Sequence, residues 1–361
     1  MNSKINRSDI HVAILAGGQG TRFWPISRKD QPKQFLSISK SGESLIQATV
    51  RRVRPLIEPD ALSVVTNVAH IPLIKEHIPD SNIIIEPVGR NTAAAIGLAA
   101  IYSQVNSGSD PVLICLPADH AVGNEDKLRL VLETAVETAQ RLDCLITIGI
   151  KPSAPNTAYG YIKRGASLAQ DVYKVSRFYE KPNTERAQKY FESGDYFWNS
   201  GMFVWRASVI LNAIKTYMPE LYEGLEKIKA EIGKENESRL VAEVFDSIES
   251  ISIDFGVLEH ATNCLVVTGV DFGWNDVGSW DAWAEHFQKD QQGNLIRGDA
   301  LLIDSQECVV YSKKRFTAVL GASDLVVIDS GDALLVCPRS RVQDVKKIVV
   351  ELEAKAREDL I

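Results

Sequence analysis

Three glycines, Gly17, Gly18 and Gly20, follow the apolar run "VAILA", and three cations, Arg22, Arg28 and Lys33, come soon after them. Glycines without side chains let backbone N–H groups approach an anion closely. The added cations exceed what a diphosphate at a helix end needs, which points to a triphosphate. By spacing alone, the same residues read equally well as an ordinary tight turn with solvated charges. Two familiar nucleotide rules fail here. A P-loop requires Gly-Lys-Ser/Thr after its first glycine, and the stretch has none. A dinucleotide fingerprint would put its third glycine where Phe23 stands, and Pro25 and Pro32 then make a poor helix to receive a pyrophosphate.

Two carboxylates complete the chemistry. Asp119 follows the apolar run "PVLICLPA", so it falls at the carboxyl end of a central strand, where open α/β sheets place ligands. Taken alone it also reads as a turn or helix cap. Asp276 lies in "FGWNDVGSW", a Gly- and Trp-rich loop after the run "CLVVTGV". Two carboxylates together with substrate phosphates suit Mg²⁺, a hard cation that rarely takes an all-protein cage. No Ser-His-Asp triad and no reactive cysteine stands in a suitable context. His120, beside Asp119, reads either as a base or, preferred here, as a structural hydrogen-bonding group.

These residues need a scaffold. Short apolar runs alternate with helical stretches, from "VAILAG" through "SLIQATVRRVRPLI", "LSVVT", "NIIIE" and "NTAAAIGLAAIY" to "LITIGI". Helical spacing joins Leu45, Ile46, Val50, Val53 and Ile57. The pattern predicts an α/β class with a mixed, mostly parallel, Rossmann-like sheet flanked by helices. From Lys151 to about Val270 the order loosens, and antiparallel strands are expected to extend the same sheet. After Asp290 come short β-like runs broken by Gly, Asp and Ser, closed by the helical "VQDVKKIVVELEAKAR". The expected domains are therefore 1–290 and a small C-terminal β domain over 291–361, with no repeat of fixed period. A net charge of −7 without a basic run argues against nucleic acid or an anionic membrane as the main partner. The N-terminal "MNSKINRSDI" has no apolar core of signal-peptide length and no apolar run reaches the ~20 residues of a membrane span, so the cytoplasm is expected. The five cysteines show no C-x-x-C spacing and read as small buried hydrophobes.

The opening stretch resembles the signature of the sugar-nucleotide pyrophosphorylases, nucleotidyltransferases with a Rossmann-like A fold. The variant "WPISRKDQPKQF" is similar to the mannose-1-phosphate guanylyltransferase branch. "EPVGRNTAAAI", "LPADH", "YGYIK", "YEKP", "WNSGMF", "SIDFGVLE" and "FGWNDVGSW" follow in the family's order. Gln19, Phe23 and Asn275 depart from the more usual Ser, Leu and Ser. The chain also lacks the cupin-like isomerase module of bifunctional relatives, so an isomerase activity is not implied.

The resemblance implies transfer of GMP from GTP to mannose 1-phosphate with Mg²⁺ on Asp119 and Asp276. It places the nucleotide on Leu15, Ala16, Gly17, Gly18, Gly20 and Thr21, with Arg22 and Lys33 on the leaving pyrophosphate. It sets Glu86, Asn91 and Thr92 against the purine, although Asn91 and Thr92 open a helix and read as caps too. It assigns Glu180 to sugar hydroxyls and Lys181 to the sugar phosphate; by sequence alone they are a surface pair before a proline turn. Asn199 sits polar in an aromatic run, facing a sugar hydroxyl or a backbone group, and Gly160 would let backbone approach the hexose. Asp254 reads as a helix cap. The C-terminal runs resemble a left-handed β-helix that often assists pairing, and a homodimer is expected. Open alternatives are the same chemistry on another sugar 1-phosphate or nucleotide, a non-catalytic sugar-nucleotide-binding regulator, and a dinucleotide oxidoreductase, which Phe23 weakens.

Overall fold

The computed structural model describes residues 6–18, 20–37 and 42–361. Gln19, one of the departures noted above, lies outside them. By compactness the chain forms two units. The first comprises Met1–Gly17, Thr49–Ala118 and Val122–Trp274; the second comprises Gly18–Ala48, Asp119–Ala121 and Asn275–Ile361. This division differs from a single cut near Asp290. Phe23, Trp24 and Leu36 of the early loop share an apolar core with Val342, Val345 and Val349, and that shared core draws the loop into the later unit.

The first unit carries β1 (Ile10–Leu15), β2 (Leu62–Asn67), β3 (Asn82–Glu86) and β4 (Val112–Pro117). A two-residue β5 (Ala121–Val122) begins at the unit boundary, and β6 (Leu145–Ile150), β7 (Tyr161–Ala169), β8 (Val172–Tyr179), β9 (Tyr196–Arg206) and β10 (Cys264–Val267) follow. Nine of these make one sheet in the order β3-β2-β1-β4-β9-β6-β10-β8-β7. β1, β2, β3 and β4 pair parallel, as do β6 and β10. β9 enters antiparallel between β4 and β6, and β8 runs antiparallel to β10 and β7. Every strand but β8 and β9 thus points the same way, so the mixed, mostly parallel sheet is as expected. Helices cover its faces, and β1, β4 and β6 are correspondingly almost continuously buried.

Local chemistry sets the helix bounds. The stretch beginning at Leu45 is α-helical only to Val53, because Pro55 cannot continue the hydrogen-bond ladder and Arg54–Leu56 tighten into a 3₁₀ turn. Asn183 accepts from the Arg186 N–H at 3.0 Å and opens the helix Thr184–Ser193, which Gly194 ends in the left-handed region.

A two-residue β11 (Trp274–Asn275) spans the other unit boundary. The second unit then holds β12 (Leu295–Arg297), β13 (Ala300–Ile303), β14 (Val309–Ser312), β15 (Thr317–Leu320), β16 (Leu325–Asp329) and β17 (Leu334–Pro338). β12, β14 and β16 stack in parallel, β13 and β15 do likewise, and β17 closes antiparallel on β16. This is a β-helix-like coil. Leu295 pairs with Val309 and Val309 with Val326, so successive turns differ in length and no fixed period marks the sequence. The closing helix is shorter than expected, Val345–Ala354, because Arg339–Asp344 forms a 3₁₀ turn first. Cys115, Cys144, Cys264 and Cys308 are buried, and burial pushes the Cys264 thiol up to about 12.

Candidate active site

In the second unit the glycine loop turns without an α-helix. Gly20 has φ +64°, in the left-handed region that glycine tolerates, and Thr21–Phe23 makes a single 3₁₀ turn. The Gly18 carbonyl accepts from Gln34 Nε2 at 3.1 Å, tying the two ends of the stretch. Arg22 donates through Nη1 to Gln343 Oε1 at 3.2 Å.

Lys33 is 5 % exposed. Its ammonium donates to Asp119 Oδ2 at 2.8 Å and to the Asp276 carbonyl at 2.6 Å, and lies 5.6 Å from the centre of the Phe23 ring. Burial alone would raise the Asp119 carboxyl, but the Lys33 charge, the His120 charge and the Lys33 hydrogen bond outweigh it and hold the group below its usual range. His120 Nε2 stands 4.0 Å from Asp119 Oδ1. The Asp276 carboxylate accepts from the Gly278 N–H at 3.0 Å, across Val277, whose φ of +46° is strained for a β-branched residue. Lys33, Asp119 and Asp276 are thus brought together.

Arg28 is a correction. Expected as a mobile cation for phosphate, its side chain is only 11 % exposed, and it donates to the Pro25 carbonyl and to Asp332 at 3.2 Å. Lys33 is likewise fixed rather than mobile.

In the first unit, Leu15 ends β1, and the Ala16 N–H donates to the Val65 carbonyl at 2.8 Å, extending the β1–β2 edge to Gly17. A Cβ on Gly17 would come within 3.2 Å of Glu86 Oε2, so this glycine leaves room for the carboxylate that ends β3. Glu86 is 5 % exposed, its Oε1 has no hydrogen-bond partner among the described residues, and burial pushes its carboxyl up to about 7. Asn91 has φ +65° and its Oδ1 accepts from the Thr92 N–H at 2.8 Å, while the Thr92 hydroxyl accepts from the Ile253 N–H at 2.9 Å. Thr92 therefore holds the "SIDFGVLE" segment rather than capping its own helix.

That segment reaches a second polar cluster. A register shift between Thr147 and Gly149 in the β6–β9 pairing kinks the ladder at Asn199, and such irregularities re-aim side chains. Asn199 Nδ2 donates to Asp254 Oδ1 at 2.7 Å, and its Oδ1 accepts from the Thr147 hydroxyl at 2.9 Å. Both ends of the amide are engaged by protein. Glu180 and Lys181, just past the end of β8, form an ion pair. A Cβ on Gly160 would lie 2.6 Å from Glu180 Oε2, so this glycine leaves room for that carboxylate. Burial, then the neighbouring Glu180 charge, pushes the Asp254 carboxyl up to about 6. Asp254 was read as a cap, and its partnership with Asn199 was missed; the available signal was its place in a quoted motif.

Among the described residues no group of three or more His, Cys, Asp or Glu side chains could hold a metal, and no helix is long and apolar enough to cross a membrane.

Comparison with known proteins accords with this geometry. The profile of the nucleotidyl transferase family matches residues 11–293, and that of the MannoseP isomerase/GMP-like beta-helix domain matches 298–352. A putative mannose-1-phosphate guanylyltransferase of Vibrio cholerae is 42 % identical over 352 residues, covering 95 % of this chain and 74 % of its own. A mannose-1-phosphate guanylyltransferase of Salmonella muenchen is 41 % identical over 360 residues, covering 98 % and 75 %. The crystal structure of a Thermus thermophilus protein described as a mannose-1-phosphate geranyltransferase superimposes with a TM-score of 0.86 at 34 % identity, covering 96 % of this chain and 99 % of that one.

Proposed function

Since the chain belongs to the mannose-1-phosphate guanylyltransferase family of nucleotidyl transferases, we propose that it transfers GMP from GTP to α-D-mannose 1-phosphate, giving GDP-mannose and pyrophosphate. The observation that carries this reading is the Lys33 ammonium, which meets the Asp119 carboxylate and the Asp276 carbonyl at once. Lys33 so ties the strand-end carboxylate of Asp119 to the backbone of the Asp276 loop, which supports reading the two aspartates as parts of one site. Two carboxylates suit Mg²⁺, a hard cation, and substrate oxygens would complete the shell. Held by the carboxylates of Asp119 and Asp276, the ion would offset the negative charge carried at the α-phosphate.

The chain's own residues have positioning and electrostatic work to do. The attacking phosphate has a second pKa of ~6 and is largely a dianion at neutral pH, so no general base is needed and His120 has no proton to take. Arg22 and Lys33 hold the departing pyrophosphate, and the glycine loop from Leu15 to Thr21 offers its amides to the phosphates. Glu86, when ionised, accepts from the N–H groups of guanine, and Asn91 and Thr92 shape that wall. Lys181 takes the sugar phosphate, Glu180 the sugar hydroxyls, and Asn199 and Asp254 brace them. Residues 1–290 carry this chemistry in the cytoplasm, and 291–361 form the β-helix-like part through which two copies pair.

The test is pyrophosphate release with GTP, mannose 1-phosphate and Mg²⁺, run beside other nucleotides and glucose 1-phosphate. Release confined to the GTP and mannose 1-phosphate pair is expected; turnover only with another pair overturns the specificity, and none with any pair overturns the activity. Light scattering at micromolar protein should give a dimer mass, and a monomer removes the pairing.

A further inference from the structure

The loop that carries Arg22 is fastened, residue after residue, to the C-terminal part of its own unit. The Phe23 ring is buried with its centroid 5.0 Å from that of Trp280. Trp24 donates through Nε1 to the Leu360 carbonyl at 2.8 Å, and its own carbonyl accepts from Trp280 Nε1 at 3.2 Å. Arg28 lies over the Trp24 ring at 5.6 Å and reaches both Asp332 oxygens, at 3.3 and 3.2 Å. Lys29 pairs with Glu358 at 3.4 Å. These contacts fix the backbone that follows Arg22. The guanidinium itself meets Gln343, on the 3₁₀ turn Arg339–Asp344 that leads into the helix Val345–Ala354.

The chemistry of that last contact is telling. Gln343 is exposed, so the fold does not depend on burying it. An amide oxygen accepts a guanidinium N–H without neutralising its charge, whereas a carboxylate at the same place would cancel part of the charge a polyphosphate needs. An arginine side chain is rich in rotamers, and holding it in place beforehand relieves the ligand of ordering it.

We infer that Gln343 is a positioning residue for the reaction: it orients Arg22 toward the triphosphate, so that the β-helix-like part contributes to nucleotide binding through its 3₁₀ turn. This rests on the reading of Arg22 as a triphosphate ligand. Gln343 does not itself touch the reacting atoms.

The experiment is titration calorimetry of the full chain with GTP and Mg²⁺, together with steady-state kinetics, on Gln343→Ala, Gln343→Glu, Arg22→Ala and the double variant Arg22→Ala/Gln343→Ala. Gln343→Ala should weaken GTP about three- to tenfold, the range for one ordinary hydrogen bond, because the pair is exposed to water. It should leave the KM for mannose 1-phosphate and the melting temperature where they were. Gln343→Glu should weaken GTP at least as much, with a steeper salt dependence, because the acceptor is kept but the charge is opposed. In the Arg22→Ala background Gln343→Ala should have no further effect. If Arg22→Ala weakens GTP and Gln343→Ala does not, or if Gln343→Ala acts equally in both backgrounds, the positioning role is overturned while the reading of Arg22 stands. If Arg22→Ala itself binds GTP like the parent protein, the reading of Arg22 fails and the inference fails with it.

Discussion

Glu86, proposed above to meet the purine, offers a quantitative test. Its carboxyl is 5 % exposed, one oxygen has no partner among the described residues, and burial places its pKa at about 7 against an ordinary 4.5. In the unfolded chain the group ionises near the ordinary value, so between the two pKa values the folded protein holds a proton that the unfolded chain has released. Stability therefore falls as pH rises through that window and is level again above it. The shift of about 2.5 units, at 1.36 kcal/mol each, makes the charged side chain cost the fold about 3 kcal/mol at pH 8 and nothing at pH 4.5. Glu86→Gln removes the titration and keeps the shape. Urea unfolding of both proteins from pH 5 to pH 8.5 should show the variant gaining on the parent as pH rises, reaching about 3 kcal/mol above pH 7.5. The gain should be accompanied by weaker GTP binding, since an amide presents only one acceptor to the guanine edge. A difference in stability that stays flat across this range would refute the reasoning, because it would mean that water or backbone already satisfies the carboxylate.

Lys33→Met leaves Asp119 without its cation, so its carboxyl should rise instead of being held down. A fully buried pair would lose about 3–5 kcal/mol, but the Asp119 side chain is 36 % exposed, and about 1–2 kcal/mol is expected at pH 7. In the parent, the lowered carboxyl stabilises above the ordinary pKa and ceases to do so as pH falls through its folded value, so the deficit measured by urea unfolding should shrink below pH 4. Gly160→Ala puts a methyl 2.6 Å from Glu180 Oε2 and must displace that carboxylate; the KM for the sugar phosphate should rise about tenfold with little change in melting temperature, as a loss of about 1.4 kcal/mol in binding. Gly97→Ala, on the helix Asn91–Ser107, sets a methyl 2.5 Å from Leu225 Cδ1 and should cost about 1–3 kcal/mol by overpacking, read by the same unfolding assay, with KM values unaltered.

Much of the scaffold was legible because its signals are local. Buried strands read as unbroken apolar runs, and Thr184–Ser193 carries its own Asn183 cap and Gly194 stop, whereas the helical spacing from Leu45 to Ile57 runs past the Pro55 at which the α-helix gives way to a 3₁₀ turn. The strand-end place of Asp119 was legible in the apolar run before it. What the string of residues conceals is pairing over long separation. Nothing near Arg28 announces Asp332, and nothing near Arg22 announces Gln343, so buried tethers and available cations look alike in sequence. Gly160 shows the same limit: a glycine marks a close approach but does not say whether a neighbouring carboxylate or a ligand comes close. Asn199 reads as a polar residue in search of a partner and Asp254 as a helix cap, and only the kink in β9 and the Thr92 tether make them partners of one another.

The interleaving of the second unit bears on how the chain is made. Gly18–Ala48 leaves the ribosome early, yet the side chains that bury Phe23 and Trp24 and hold Arg28 belong to residues beyond Asn275. During synthesis at ~5–20 residues per second the strands of the large sheet can begin to pair while this loop still lacks its core. The glycine loop is then among the last parts to settle, and a nascent chain short of its β-helix-like coil would have the sheet but not the ordered loop proposed to take the triphosphate. Commitment of nucleotide would be tied to completion of the chain.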